Sequence, residues 1–147
     1  EPGLVECPQL KILRIEGSIY FGAINHVDSH FDTLREQSPD QRHLLVMSKS
    51  INFVDVAGAG LLANEAQRRR RMGGQLYFYS LRQPVLDILE RSGLIETIGR
   101  ENVFHRTREA IGGVFARLDR SICARCSERI FTECRALPPP PPGVVAL

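Results

Sequence analysis

The chain has 147 residues, 43% hydrophobic and 24% charged, a composition that fits one packed domain with a tail and excludes both a two-domain enzyme and a disordered chain. Its 19 Lys and Arg against 17 Asp and Glu leave a net charge of +2, too balanced for the one-signed field of a dedicated nucleic-acid binder. The longest apolar stretch, Val56 to Ala63, falls far short of the ~20 residues that a membrane helix needs.

The chain opens Glu1-Pro2-Gly3, with no initiator Met and no basic-then-apolar leader, and so reads as a piece cut from something longer. Leu10, Ile12, Leu13 and Ile15 predict a short strand. Gly17-Ser18 then offers a turn into Ile19-Tyr20-Phe21, which together make an antiparallel hairpin. Ile24, Val27, Phe31 and Leu34 are spaced as one face of an amphipathic helix that ends before Ser38-Pro39-Asp40. Leu44 to Met47 is apolar on both faces, as an interior strand is.

A loop from Ser48 to Ala57 leads into a second helix over Gly58 to Met72, with Ala59, Leu62 and Ala66 inward and Gly73-Gly74 as its stop. Leu76-Tyr77-Phe78-Tyr79 is another strand. Pro84 opens a third helix that buries Val85, Leu86 and Leu89 and ends at Ser92-Gly93. Asn102 to Phe104 form a last short strand before a helix over Arg106 to Leu118, whose apolar face is Ala110, Ile111, Val114 and Leu118. The expected fold is α/β: a mixed β-sheet, N-terminal hairpin plus parallel strands, with about four helices. The expected division is a linker over 1–7, a domain over 8–118 and a tail over 119–147. Within that tail Pro138 to Pro142 form an extended polyproline run.

The segment Asn52 to Leu62 joins a strand to a helix N-terminus, where free N–H groups and the helix dipole favour an anion. Asp55 can occupy those N–H groups itself, and capping is the favoured reading. No Gly-Lys-Ser/Thr follows the glycines and no full dinucleotide pattern is present, which leaves nucleotide hydrolysis unsupported. Arg68 to Arg71 end the same helix. They read as a solvated helix terminus, with an acidic partner or a lipid phosphate as the sharper alternative. His26 and His30 are one turn apart but lack a third ligand. Cys123, Cys126 and Cys134, with Cys7 as a distant fourth, suggest zinc or an iron–sulfur cluster. Their spacing of three, four and four through Ile130 also makes one buried helix face, and packing is favoured over metal. No activated nucleophile is marked, so an enzyme is the weakest class of reading and no cofactor is implied.

Ile15-Glu16-Gly17-Ser18-Ile19-Tyr20-Phe21-Gly22, Asn52 to Gly58 and Leu76-Tyr77-Phe78-Tyr79 resemble a STAS domain. More narrowly, the resemblance is to the C-terminal cytoplasmic domain of bacterial SulP anion transporters, the sulfate permease family. It covers residues 8–118, and the tail from Cys123 to Cys134 is similar to extensions found in some of those transporters. The same fold serves as the free-standing anti-sigma-factor antagonist, whose Asp-Ser-Ser/Thr-Gly motif is phosphorylated on its second hydroxyl residue. The matching positions here read Asp55-Val56-Ala57-Gly58. Ala57 has no hydroxyl, so that phosphorylation is not expected at this position.

The resemblance implies a non-catalytic regulatory and interaction domain on the cytoplasmic side of the inner membrane. Its expected partners are the transmembrane domain of the same transporter, a cytosolic regulatory protein or a nucleotide, and a second copy in the full-length homodimer. Nucleic acid is not among them. The expected binding residues are Asp55, Val56, Ala57, Gly58, Ala59 and Gly60, with the adjoining face at Ser80 to Gln83. A partner-switching antagonist and a nucleotide- or anion-binding module are the alternatives.

Overall fold

The computed structural model of the chain describes residues 5–140; residues 1–4 of the expected linker, and 141–147 with the last two prolines of the run, lie outside them. Strand β1 (Leu10–Arg14) lies beside β3 (His43–Met47), which lies beside β5 (Leu76–Tyr79), and β6 (Val103–Phe104) forms the far edge. Strands β2 (Gly17–Ile19) and β4 (Ile51–Val54) pair separately. Every one of these pairings is parallel.

The expected hairpin is therefore corrected. Leu10 sits opposite His43 and Arg14 opposite Met47, and farther on Gly17 sits opposite Ile51 and Ile19 opposite Val54. β1 and β2 thus run in one direction alongside β3 and β4, which also follow one another. Gly17, at φ +92°, bends the chain without reversing it, and its N–H donates to Ser50 O at 2.9 Å. The loop expected over Ser48 to Ala57 is corrected too, because it contains β4. Only Ile51 and Val54 of that strand are buried while Asn52 and Phe53 are exposed, so four residues show no alternation to read.

The helices are α1 (Ile24–Gln37), α2 (Val56–Arg71), α3 (Gln83–Arg91), α4 (Leu94–Ile98), α5 (Thr107–Phe115) and α6 (Arg120–Arg125). Alternation along the central strands sorts the core into two layers. Leu44, Val46, Leu76 and Phe78 face one layer with Phe31 of α1, Ala59, Leu62 and Ala66 of α2, and Val85 and Leu89 of α3. Leu45 and Tyr77 face the other, with Ala110 and Val114 of α5, Leu118, Cys123 and Cys134. The residues after α5 thus cover the second sheet face. Gln9 clasps them: its Nε2 donates to Asp119 O at 3.0 Å and its Oε1 accepts from Asp119 N at 2.8 Å.

The tail also departs from the single helix expected over Cys123 to Cys134. α6 stops at Arg125, Cys126 is extended at φ −70° and ψ 127°, and a 3-10 helix covers Thr132–Ala136. Arg129, at φ +41°, breaks the run because its guanidinium collects the carbonyls of Ala124 at 3.3 Å, Cys126 at 3.0 Å and Leu137 at 3.1 Å. Those carbonyls are satisfied without a helical ladder.

The four arginines ending α2 are not a uniformly solvated terminus. Arg69 is fully buried: its Nε donates to the buried Glu65 Oε2 at 2.9 Å and its Nη1 to Gln41 O at 2.8 Å. From α1, Arg35 brings its Nε to 3.2 Å from Glu65 Oε1, and Asp28 accepts from Arg68 at 2.8 Å. Arg70 donates to Ile98 O at 2.8 Å, while Arg71 is exposed. One helical turn separates Glu65 from Arg69, which lets the carboxylate turn this guanidinium inward. Arg69→Ala leaves Glu65 buried beside one remaining cation and is expected to cost about 3–5 kcal/mol in urea unfolding. The apolar pair Glu65→Leu with Arg69→Met is expected to lie much nearer the parent stability.

Candidate functional site

Asp55 is the N-cap of α2, with extended backbone at φ −91° and ψ −179°. Its Oδ1 accepts from Gly58 N at 2.7 Å and its Oδ2 from Phe21 N at 3.0 Å. Its own N–H donates to Ile19 O at 3.2 Å, and its carbonyl accepts from Ala59 N at 2.8 Å. One residue therefore ties the end of β2 to the start of α2. The hydrogen bond from Gly58, and then that from Phe21, hold its carboxyl below the ordinary aspartate range. Gly58 is required by the close approach of this helix to β2: a Cβ there would lie 2.2 Å from Ile19 O.

The six expected binding residues do not share one environment. Val56 is 65% exposed and Asp55, Ala57 and Gly60 are half-buried, whereas Gly58 and Ala59 are buried under the turn. The last two shape the site rather than face outward. Ala57 presents only a methyl group. What sequence reasoning missed is the apolar rim: Phe21 is 80% exposed and Tyr20 and Phe53 are each 49% exposed. Phe21 is held by its bond to Asp55, and Ser18 sits opposite Phe53 in the β2–β4 register, which brings Tyr20 level with Asp55. The signal available in the sequence was two consecutive aromatics past the last inward residue, Ile19, where a strand that was only packing would turn polar.

The adjoining face begins at Ser80, a non-glycine residue at φ +61° just after β5, fixed by its N–H bond to Phe104 O at 2.8 Å. Arg82, exposed, donates from Nε to Lys49 O at 2.8 Å, and α3 packs against β4. His26 and His30 are both exposed on α1. Among the described residues no three His, Cys, Asp or Glu side chains are placed to hold a metal ion. Burial pushes the thiols of Cys7 and Cys123 above their ordinary range, so neither is an activated nucleophile.

A cleft of about 860 Å³ lies at the opposite end of α2 and is lined by Gln41, Arg42, His43, Gly73, Arg117 and Asp119 among others. Its walls carry both charge signs. His43 is buried there, 3.0 Å from the Tyr77 hydroxyl, and burial followed by the charges of Arg117, Arg69 and Arg42 lowers its pKa to about 4. The cleft therefore holds a neutral imidazole at pH 7.

Two pH dependences follow. Asp55 titrates lower folded than unfolded, so its stabilisation is complete above the unfolded value near 3.8 and is lost as pH falls through the folded one. Asp55→Ala is expected to lower the melting temperature at neutral pH, Asp55→Asn to lower it less, and both differences to vanish in acid. His43 binds its proton less well folded, so stability falls as pH drops from 6.5 towards 4, by about 3 kcal/mol. His43→Gln is expected to flatten that part of the denaturation profile.

The STAS domain family profile matches residues 2–110. A Bacillus subtilis protein carrying a sulfate-transporter name, YvdB, is 25% identical over 107 residues; the match takes in 73% of this chain and 20% of that protein. The chain thus spans about a fifth of the length of that relative. Among solved structures, a sulfate transporter family protein from Wolinella succinogenes superimposes with a TM-score of 0.64 at 20% identity, covering 78% of this chain and 90% of that one. The unphosphorylated anti-sigma factor antagonist SpoIIAA superimposes with a TM-score of 0.62 at 16% identity, covering 79% and 96%. At these identities the two structures show a shared fold. Among the described residues no helix is long and apolar enough to cross a membrane.

Proposed function

The chain belongs to the STAS domain family, and from that premise we propose that it is the regulatory and interaction domain of a SulP-type anion transporter, itself non-catalytic and facing the cytoplasm. The observation that carries this reading is the character of the α2 N-terminus. Asp55 already occupies the amides of Gly58 and Phe21, where a free phosphate or sulfate would compete with it, while Tyr20, Phe21, Phe53 and Val56 stand outward around it. A polar, empty helix terminus would suit an anion. A capped terminus ringed by large apolar side chains suits a protein surface. The transporter-named relative, of which this chain matches a fifth, supports a larger protein whose membrane part supplies that surface. A cytosolic regulator and a second copy in the full-length dimer are the further partners of this reading.

The likeness to SpoIIAA supports a second reading, a partner-switching antagonist. Ala57 weighs against it, since the position that the family phosphorylates carries no hydroxyl here.

Sequencing the coding region upstream of Glu1 tests the proposal directly. Ten or more in-frame hydrophobic spans, each of ~20 apolar residues, are expected; a start codon immediately before Glu1 overturns it. In the full-length protein, Phe21→Asp with Phe53→Asp is expected to weaken docking of the domain by at least about tenfold and to depress anion uptake. The isolated domain should still unfold cooperatively with a melting temperature lowered only slightly, because Phe21 is 80% exposed and Phe53 is 49% exposed. Unimpaired uptake places the docking surface elsewhere.

A further inference from the structure

The chain has four cysteines, and all of them are buried and free. Cys7 comes from the segment before β1, Cys123 from α6, Cys126 from the residue that ends it, and Cys134 from the 3-10 helix beyond. Although more than a hundred residues separate the first from the others, all four line one cavity, closed by Pro8, Gln9, Leu118, Ile130 and Phe131. The cavity measures about 10 Å³, close to the least that admits a single water. Its scale is that of one atom-sized guest.

Packing alone accounts for buried cysteines, but the single helix face that made packing the economical explanation is absent, since the helix breaks at Cys126. Packing gives no reason for every thiol of the chain to meet at one point when Ala, Val or Leu would fill it. Two neighbours are of the kind that support metal-bound thiolates. Gln9 Nε2 donates to Cys123 Sγ at 3.2 Å, the outer-shell contact that orients a sulfur ligand. Arg129 lines the same cavity and brings a cation towards what would be a doubly negative centre, four thiolates around one divalent ion.

We infer that Cys7, Cys123, Cys126 and Cys134 form a structural site for a thiophilic divalent metal ion of the zinc class. The site staples the segment before β1 to the tail that covers the second sheet face, beside the Gln9 clasp on Asp119. The described residues hold no three ligands at metal-holding positions, so binding draws the sulfurs inward. The part that must shift is Ser127 to Phe131, which lies outside any helix or strand and is held by the Arg129 side chain rather than by a backbone ladder. Four ligands at Cys-x2-Cys spacing with two flanking cysteines complete a closed tetrahedron and leave no open position for catalysis.

The test is a cobalt titration of the reduced, chelator-stripped 147-residue chain. The expected result is uptake of one equivalent, with the intense visible bands of tetrahedral cobalt thiolate, which zinc then bleaches. Cys7→Ser, isosteric and folded as judged by circular dichroism, is expected to weaken cobalt binding by more than about 100-fold, beyond the effect of an outer-shell change. If that variant does not fold, band intensity in the parent chain decides between four sulfur ligands, as inferred, and fewer, which overturns the site. Absence of micromolar cobalt binding, or parent-like binding by folded Cys7→Ser, also overturns it.

Discussion

A single carboxylate, that of Asp55, ties the end of β2 to the start of α2, a junction that no strand pairing makes. One oxygen closes the first turn of α2 through Gly58 N and the other fixes the chain leaving β2 through Phe21 N. The two contacts set how closely α2 approaches β2, and that distance leaves no room for a Cβ at position 58. The rest of the site inherits its shape from this constraint. Phe21 is turned outward because its amide is turned inward, and Val56 is exposed as the first residue of the helix, two residues before the expected start at Gly58. The feature that makes the terminus stable, an internal anion in place of a bound one, also makes it a poor anion receptor.

Parallel pairing throughout gives the sheet two buried faces, and the chain covers them by different means. The face packed by α1, α2 and α3 is largely apolar, and its rim is locked by the buried Glu65 with Arg69 and Arg35. The opposite face is covered by α5 and the residues after it, a short, irregular cover whose order depends on side-chain clasps: Gln9 on Asp119 and Arg129 on three carbonyls. Such clasps satisfy backbone groups that no ladder reaches. A metal staple among the cysteines would act on the weaker of the two covers.

The central strands Leu44 to Met47 and Leu76 to Tyr79, the helices α1, α2, α3 and α5 and the turn at Asp55 were legible in the sequence because each is specified locally; the short α4, and the break after α6, were not. Continuous apolar runs mark strands buried on both faces, a three-and-four spacing marks a helix face, and an Asp before a helix marks a cap. β4 was not legible, since two of its four residues are exposed. Nor was the direction of β2: Gly17-Ser18 permits both a reversal and a bend, and only the partner across the sheet distinguishes them. The apolar rim at Tyr20, Phe21 and Phe53 escaped for a related reason, because exposure belongs to the assembled surface and aromatic residues read as core until their neighbours are known.

By itself the sequence determined the α/β class, most of the elements, the capping role of Asp55 and the lack of a hydroxyl at Ala57, all properties of residue type and short-range spacing. Only the tertiary structure decided that β1 and β2 run parallel to β3 and β4, that Arg69 points inward to Glu65, and that Cys7 meets the cysteines of the tail. Each of those joins residues far apart in the chain, or chooses between conformations that short-range spacing leaves equal, and the choice is made by which buried polar groups and apolar faces find partners.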